Sequence, residues 1–235
     1  MSKFMKLLLT LIFILIIEII IIYIGYTKKT ALNTYGIENY NPKKGIVIVI
    51  DVQDNYLSVF QESKLLITYE IAGGKPSSPS PIGIWRIETK ANWDKGFGGY
   101  WMGLNVPWGQ YGIHGTTHPE SIGSNSSKGC IRMRSSEVAQ LFKITPHGTP
   151  VIIWGGPYGS FGSNLRTVKP GDRGADVYEL QKILKEKDYY RGEPDGIYGN
   201  GMMAIIHKYQ KDNNLPINNH INIRFYKALG VYVID

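Results

Sequence analysis

Apolar residues follow three different patterns along the chain. Residues 7–24 form an almost continuous apolar run, which one threonine and one charged residue, Glu18, interrupt. Residues 45–154 contain short β-branched and aromatic runs separated by turn-forming residues, a pattern that is typical of β-strands. From Val168 onward, apolar residues recur at helical spacing. These patterns predict an apolar N-terminal segment, a mainly β domain and a small all-α domain.

The apolar N-terminal run is long enough to cross a bilayer. As a helix, its 18 residues would extend roughly 27 Å, close to the thickness of the hydrocarbon layer. A cleaved signal peptide has a shorter apolar region with small residues after it, whereas here Tyr26, Thr27 and Lys28 follow. We therefore predict an uncleaved anchor with a single transmembrane helix over residues 1–26, and a polar tether over residues 27–44.

The domain over residues 45–154 is predicted to be mainly β. A segment rich in glycine and tryptophan, residues 93–108, is predicted to be a loop that lines something. One short helix is predicted over residues 135–142, with Ser135 or Ser136 as its N-cap. The strand-forming runs cover residues 46–50, 56–60, 65–71, 84–89, 111–114 and 148–154.

The composition changes after the last predicted strand. Residues 155–163 hold four glycines, so residues 155–167 are predicted to be a linker. Three short helices are predicted beyond it, the first with its apolar face formed by Val177, Leu180 and Leu184. Residues 168–235 are therefore expected to form a three-helix domain that folds separately from the β domain.

The composition also limits the classes of function. Hydrophobic residues make up 43% of the 235 residues and aromatic residues 12%, which excludes a globally disordered chain. A single cysteine excludes a disulfide scaffold and any multi-cysteine zinc or iron–sulfur site. The net charge of +7 favours an anionic partner. Because the sequence has no basic helix or RNA-binding signature, we do not expect that partner to be a nucleic acid.

The single cysteine is a candidate nucleophile. A thiol reacts well only as its thiolate, and a nearby imidazole can lower the pKa of the thiol. His114 precedes Cys130 by 16 residues, and the glycines and proline between them allow the chain to fold back. Gly129 leaves room for close backbone approach and would help to aim N–H groups at an oxyanion. If residues 130–132 are extended, Arg132 shares a face with the thiol and can bind a carboxylate.

Other interpretations of these residues stay open. A cysteine is also a small hydrophobic core residue, and Arg132 can form an ordinary ion pair. His118 lies four residues after His114, which on a helix would indicate a metal pair, but the glycine, threonine and proline residues around them disfavour a helix. We therefore expect neither a metal nor an organic cofactor. Ser127 and Lys128 are expected to shape the loop rather than to react.

Several segments together resemble the signature of a known family. They are His114-Gly-Thr, residues 127–133 (SKGCIRM), residues 148–151 (GTPV), and residues 74–83 (GKPSSPSPIG) with Ser80 where threonine is usual. On these segments, residues 45–154 resemble the L,D-transpeptidase (YkuD-type) catalytic domain. The resemblance implies a β-sandwich with a short helix, which acts on peptidoglycan stem peptides through a cysteine acyl-enzyme.

The resemblance also implies a role for individual residues. Cys130 is implied to be the nucleophile and His114 the general base and acid, with Gly115 as the backbone neighbour of the histidine. Arg132 is implied to contact a carboxylate of the substrate. The complete substrate-binding set that we predict is Arg132, Gly115, Gly129 and Ser127.

The predicted helical tail has a sequence pattern of its own. Residues 171–174 (GDRG) and 195–199 (DGIYG) carry a similarity to the three-helix peptidoglycan-binding domain, which implies cell-wall glycan as a partner. The sequence departs from that pattern at Met202 and Phe225, where threonine is usual, and at Asn219, where glycine is usual. We place these three departures at the surface of the domain.

Together these expectations describe a monomeric L,D-transpeptidase held in the cell membrane by a single anchor. Its catalytic and C-terminal domains are expected on the extracytoplasmic, cell-wall side, where it would form 3→3 cross-links between tetrapeptide stems. One alternative uses the same cysteine but lets water resolve the thioester, as in a peptidoglycan carboxypeptidase or endopeptidase. A second alternative is a non-catalytic anchor that only binds the wall.

Overall fold

The described part of the chain consists of an eight-stranded β domain followed by a helical domain. The computed structural model describes residues 45–93 and 96–231. The prediction of a mainly β domain followed by an all-α domain is confirmed. The predicted anchor and tether, residues 1–44, lie outside the described residues. Within the described ranges, no helix is both long and apolar enough to cross a membrane.

The strands form one mixed sheet around a single hydrophobic core. They are β1 (Ile46–Asp51), β2 (Tyr56–Gln61), β3 (Lys64–Glu70), β4 (Gly83–Asn92), β5 (Tyr100–Leu104), β6 (Tyr111–Thr116), β7 (Ile131–Arg134) and β8 (Pro150–Trp154). Their order is β3-β2-β1-β8-β4-β5-β6-β7, with parallel pairing in β1–β8 and β6–β7. Strand β4 pairs with β8 through its first half and with β5 through its second half, on either side of a bulge between Ile87 and Thr89. Because a bulge bends a strand, β4 connects the two halves of the sheet around one core.

The segment that follows β3 pairs with the opposite end of the sheet. Ala72 and Arg132 exchange two backbone hydrogen bonds, both with N···O distances of 2.9 Å. Strand β7 is thus paired on both sides, with β6 and with this segment. The extended conformation that the sequence analysis assumed near Cys130 is therefore present in Ile131–Arg134.

Two local predictions in the β domain are wrong. Part of the predicted loop 93–108 is strand β5, because Gly103 and Gly112 leave space for the Trp101 ring, which a Cβ at either position would approach within 3.0 Å. The helix α1 (Ser135–Ile144) has Arg134 at its N-cap position and no side-chain cap. The hydroxyl of Ser135 instead donates to the carbonyl of Thr116 at 3.3 Å.

The helical domain has its own core. It contains α2 (Ala175–Glu186), α3 (Asn200–Asp212) and α4 (Ile223–Leu229). Met202 and Phe225, which we expected at the surface, are only 3% and 2% exposed and belong to this core. Apolar residues occupy these positions because the short helices need them to bury enough surface.

The segment predicted as a linker is folded and packed. A Cβ on Gly155 would lie 2.7 Å from Cδ1 of Ile82, and a Cβ on Gly156 would lie 2.7 Å from the backbone of Gly162. Glycine permits such close approach because it has no side chain. The ring of Phe161 lies 5.4 Å from that of Tyr226 in the helical domain. The glycines in this segment therefore allow close packing, whereas their frequency alone predicted a linker.

Candidate active site

The thiol of Cys130 lies at the start of β7. It is half-buried, and the strand register places the backbone of Gly112 next to it. Burial raises the pKa of the thiol, while the backbone N–H of Gly112 and the positive charge of Arg132 oppose that rise without cancelling it. The pKa therefore lies above the ordinary value of 9.0. At neutral pH the resting group is a thiol.

His114 is held in β6 as a neutral base. The residue is 7% exposed, and its Nδ1 lies 2.6 Å from the carbonyl oxygen of Gly115. Because a carbonyl oxygen can only accept, Nδ1 carries the hydrogen and Nε2 has the free lone pair. Burial lowers the pKa of His114; the Gly115 carbonyl opposes this effect and the charge of Arg132 adds to it. The imidazole is therefore neutral at pH 7 and can accept a proton.

The strand register brings the candidate residues together on one face. β6 and β7 pair in parallel with His114 opposite Arg132 and Ile113 opposite Ile131, so that Cys130 comes next to Gly112. Alternate residues of a strand point to the same face of the sheet. The thiol, the imidazole and the guanidinium therefore share one face across two adjacent strands; the sequence analysis predicted a shared face for Cys130 and Arg132 alone.

Aromatic rings surround the imidazole. The ring of Phe97 meets it edge-on at 4.9 Å between centroids, and the Trp101 ring stacks beside it at 5.8 Å. Trp93 stacks on Trp101, also at 5.8 Å. Trp93 and Phe97 are 44% and 48% exposed, so they form an apolar rim open to solvent. This rim can cover an extended peptide next to His114.

Gly115 acts through its backbone. A Cβ on Gly115 would lie 2.6 Å from the carbonyl oxygen of Gly98, and a Cβ on Gly98 would lie 2.4 Å from the carbonyl carbon of Gly115. The short turn Gly96–Gly99, in which Phe97 and Gly98 have positive φ, therefore crosses directly over this strand. The crossing fixes the peptide whose carbonyl orients the imidazole of His114.

Ser127 and Gly129 are engaged within the loop itself. Ser127 is 1% exposed; its hydroxyl donates to the carbonyl of Cys130 at 2.6 Å and accepts from the N–H of Gly129 at 2.9 Å. The N–H of Gly129 is therefore already used and is not available to an oxyanion. In this structure both residues shape the turn before the nucleophile. Among the described residues, the N–H of Cys130 has no acceptor.

Arg132 differs from the next arginine of the same strand. Arg134 forms an ion pair with Glu70, with an N···O distance of 2.7 Å. The half-buried Arg132 forms no ion pair with any residue in the described ranges. A positive charge without a carboxylate partner next to the thiol and the imidazole can accept a carboxylate from a ligand.

His118 is separated from this site. It precedes a short 3₁₀ turn, is exposed, and lies 3.2 Å from the carboxylate of Glu120. Within residues 45–93 and 96–231, no group of three or more His, Cys, Asp or Glu side chains could hold a metal ion.

The sequence analysis missed three residues of the site. Gly112 lies next to Cys130 on the neighbouring strand, Trp101 packs over Gly112, and Tyr111 lies against Gly129. A glycine within a strand often marks a close approach by another group, so Gly112 was the available signal. Nothing in the sequence pattern connects Tyr111 with Gly129, which is 18 residues later.

Comparison with known families gives two matches on this chain. Residues 45–153 match the YkuD family, the L,D-transpeptidase catalytic domain, and residues 173–229 match PG_binding_1, a peptidoglycan binding domain. YqjB of Bacillus subtilis, named as an L,D-transpeptidase, is 33% identical over 122 residues, which are 45% of this chain and 69% of that protein. YkuD of the same organism is 39% identical over 107 residues, 45% of this chain. The chain spans 64% of the length of YkuD.

Two solved L,D-transpeptidase structures match part of this chain. The NMR structure of the catalytic domain from the E. faecium L,D-transpeptidase is 25% identical, with a TM-score of 0.42, and covers 47% of this chain and 98% of that one. An L,D-transpeptidase from Mycobacterium smegmatis is 22% identical, with a TM-score of 0.40, and covers 46% of this chain and 58% of that one.

Proposed function

We propose a reaction for the Cys130 site on the premise that this chain belongs to the L,D-transpeptidase family. In this reaction, Cys130 takes an acyl group from one peptidoglycan stem peptide and passes it to an amine of a second stem. The observation that carries the proposal is the common face on which a thiol, a neutral imidazole and an unpaired guanidinium lie. Peptidoglycan is supported as the partner by both family matches.

The first step forms a thioester. The Sγ of Cys130 attacks the carbonyl carbon of the third stem residue while Nε2 of His114 takes the thiol proton. The C–N bond to the terminal D-alanine then breaks, and His114 returns the proton to the leaving amine. Because the Cys130 thiol and the His114 imidazole are both neutral at rest, the proton is transferred during the attack and no thiolate has to form beforehand.

The developing oxyanion has one candidate donor in the loop. The N–H of Gly129 is used by Ser127, whereas the N–H of Cys130 has no acceptor within the described residues. A donor in the same residue as the nucleophile is well placed for the oxygen of the attacked carbonyl. We assign this N–H to oxyanion stabilisation.

Arg132 is assigned to the carboxylate of the terminal D-alanine. Its guanidinium can hold a carboxylate through two parallel hydrogen bonds. Since it lies on the same face as the thiol, it would place the scissile bond next to Cys130.

The second step transfers the acyl group. A side-chain amine of a neighbouring stem attacks the thioester, the C–S bond breaks, and the thiol recovers a proton through His114. The product is a 3→3 cross-link. Because its substrate is in the wall, we place the catalytic and helical domains on the extracytoplasmic side of the membrane, anchored through residues 1–26. Protease added to intact protoplasts should then digest the chain beyond Lys29, and full protection would contradict this placement.

Product analysis tests the reaction. Residues 27–235, without the predicted anchor, are incubated with purified disaccharide-tetrapeptide, and the products are measured by mass spectrometry. A dimer lighter than two donors by one alanine, with free D-alanine, is the expected result, and Cys130→Ala should give neither. Tripeptide without dimer would instead indicate a carboxypeptidase. No product with a folded protein would indicate a non-catalytic anchor.

A further inference from the structure

Three aromatic rings join the helical domain to the catalytic domain. Trp85 and Trp108 belong to the β domain, and Tyr178 belongs to α2. The ring of Tyr178 lies 5.6 Å from that of Trp85 and 5.5 Å from that of Trp108, and the two indoles meet edge to face at 5.2 Å. Trp85 and Trp108 are only 3% and 4% exposed. The helical domain therefore contributes to the burial of two large rings of the catalytic domain.

A turn of the helical domain contacts the same indole. Gly196 has a φ of +69°, and a Cβ there would lie 2.3 Å from Cε3 of Trp108, so its backbone touches the ring. The buried side chain of Gln181 holds this turn. Its Oε1 accepts from the N–H groups of Asp195 and Gly196 at 2.9 and 2.7 Å, and its Nε2 donates to the carbonyl of Ile197 at 3.1 Å. The turn is therefore fixed in place against Trp108.

On its other side, Trp108 contacts Tyr111 at the start of β6. Their ring centroids are 6.3 Å apart and their planes meet at 65°. The Tyr111 ring in turn lies against Gly129, where a Cβ would come within 2.7 Å of Cε1. Gly129 directly precedes Cys130. A continuous series of contacts therefore runs from the helical domain to the backbone of the candidate nucleophile.

We propose that the helical domain is a built-in support of the catalytic site, in addition to any role in wall binding. Tyr178, Trp108 and Tyr111 are positioning residues that hold the backbone of Gly129 and Cys130. This inference rests on the proposed role of Cys130. A displacement of about 1 Å at reacting atoms can cost about 10²-fold in rate, so loss of this support should slow the reaction without removing a substrate contact.

The charges around Tyr111 agree with this arrangement. Burial raises the pKa of Tyr111 and the neighbouring Cys130 adds to that rise, whereas the Trp108 indole and the charge of Arg173 oppose it. Arg173 belongs to the helical domain, two residues before the start of α2, and forms no ion pair with a described residue. A charge from one domain thus acts on a residue that packs behind the nucleophile of the other.

The test uses the full chain in detergent and a small soluble donor, the disaccharide-tetrapeptide. Because such a donor needs no attachment to insoluble wall, loss of avidity cannot explain a slower reaction. Tyr178→Ala removes the contact, and Tyr178→Phe keeps the ring. Tyr190→Ala is the matched control, since it removes the same side chain from a position that packs on the helical core. The kcat and KM for D-alanine release are measured, with a melting curve for each variant.

Tyr178→Ala should lower kcat by about 10- to 100-fold while KM stays near the wild-type value. Tyr178→Phe and Tyr190→Ala should keep the wild-type kcat. If Tyr178→Ala melts below the assay temperature, Tyr178→Leu takes its place. A normal kcat in the folded alanine or leucine variant would overturn the inference, as would an equal loss in Tyr190→Ala. Absence of D-alanine release from the wild-type chain would instead refute the proposed function.

Discussion

Replacing His114 by alanine should change both the rate of acylation and its dependence on pH. Burial raises the pKa of the Cys130 thiol above 9.0, so at pH 7 it lies more than two units above the pH. Less than about 1% of the thiol is then ionised without help from a base. A variant without the imidazole must react through this small fraction. The expected loss at pH 7 is therefore about 10²-fold or more, within the range of about 10²–10⁴ for general-base catalysis.

The pH profile separates this effect from a structural one. The pKa of His114 lies below its ordinary value of 6.5, so the imidazole of the wild type is already neutral at pH 7 and its rate should be flat up to pH 8. The rate of the wild type should fall only when the pH drops below 6.5. In His114→Ala the rate should instead rise about tenfold per pH unit up to pH 9, because it follows the thiolate fraction. The difference between the two proteins should therefore shrink as the pH rises.

Rapid-quench mass spectrometry of the thioester at pH 6, 7, 8 and 9 measures these rates. His118→Ala is the control, because His118 lies beyond the end of β6, where its side chain is exposed and pairs with Glu120. It should react like the wild type. Equal losses in the two histidine variants would refute the assignment of the base. A loss in His114→Ala that is constant with pH would show that His114 contributes packing rather than proton transfer.

Three further predictions concern the loop and strand of the nucleophile. A carbapenem should add one label per chain, and Cys130→Ala should take up none, as intact-mass spectrometry can measure. Ser127→Ala removes both hydrogen bonds of its buried hydroxyl, so it should lower stability by about 1–3 kcal/mol in thermal unfolding, whereas the exposed Ser126→Ala should have little effect. Arg132→Lys should raise KM by about tenfold for donors with a free terminal carboxylate and leave KM for amidated donors unchanged. Arg134 already pairs with Glu70, so Arg134→Lys should leave KM for both donors unchanged.

The chemistry-bearing residues could be predicted because they obey local rules. Cys130 and Arg132 alternate on one strand, so an extended segment is sufficient to place them on one face. His114 joins them because its strand is the parallel neighbour, which a loop of glycines and one proline permits. The spacing of His114 and Cys130 left open whether their two segments lie side by side, and the family resemblance implied that they do.

The parts that could not be predicted depend on contacts between distant segments. The crossing of Gly98 over Gly115 fixes the carbonyl that orients His114, but neither glycine identifies its partner in the sequence. The contact of Tyr178 with the β domain could not be predicted either, since the sequence does not show whether a tyrosine on an amphipathic helix packs in its own domain or against another. The direction of the thiol pKa could not be predicted either, because it depends on how far the fold buries Cys130.

The raised thiol pKa is consistent with the placement that we propose for the site. Oxidation of cysteine depends on thiolate character and exposure. A half-buried thiol with a pKa above 9.0 is therefore a poor target for oxidants on the extracytoplasmic side of a membrane. The consequence is that the thiol depends on His114 for its activation. A substrate that fills the face between Arg132 and the aromatic rim would bring its carbonyl to the thiol and exclude water, so reactivity appears only when the donor is bound.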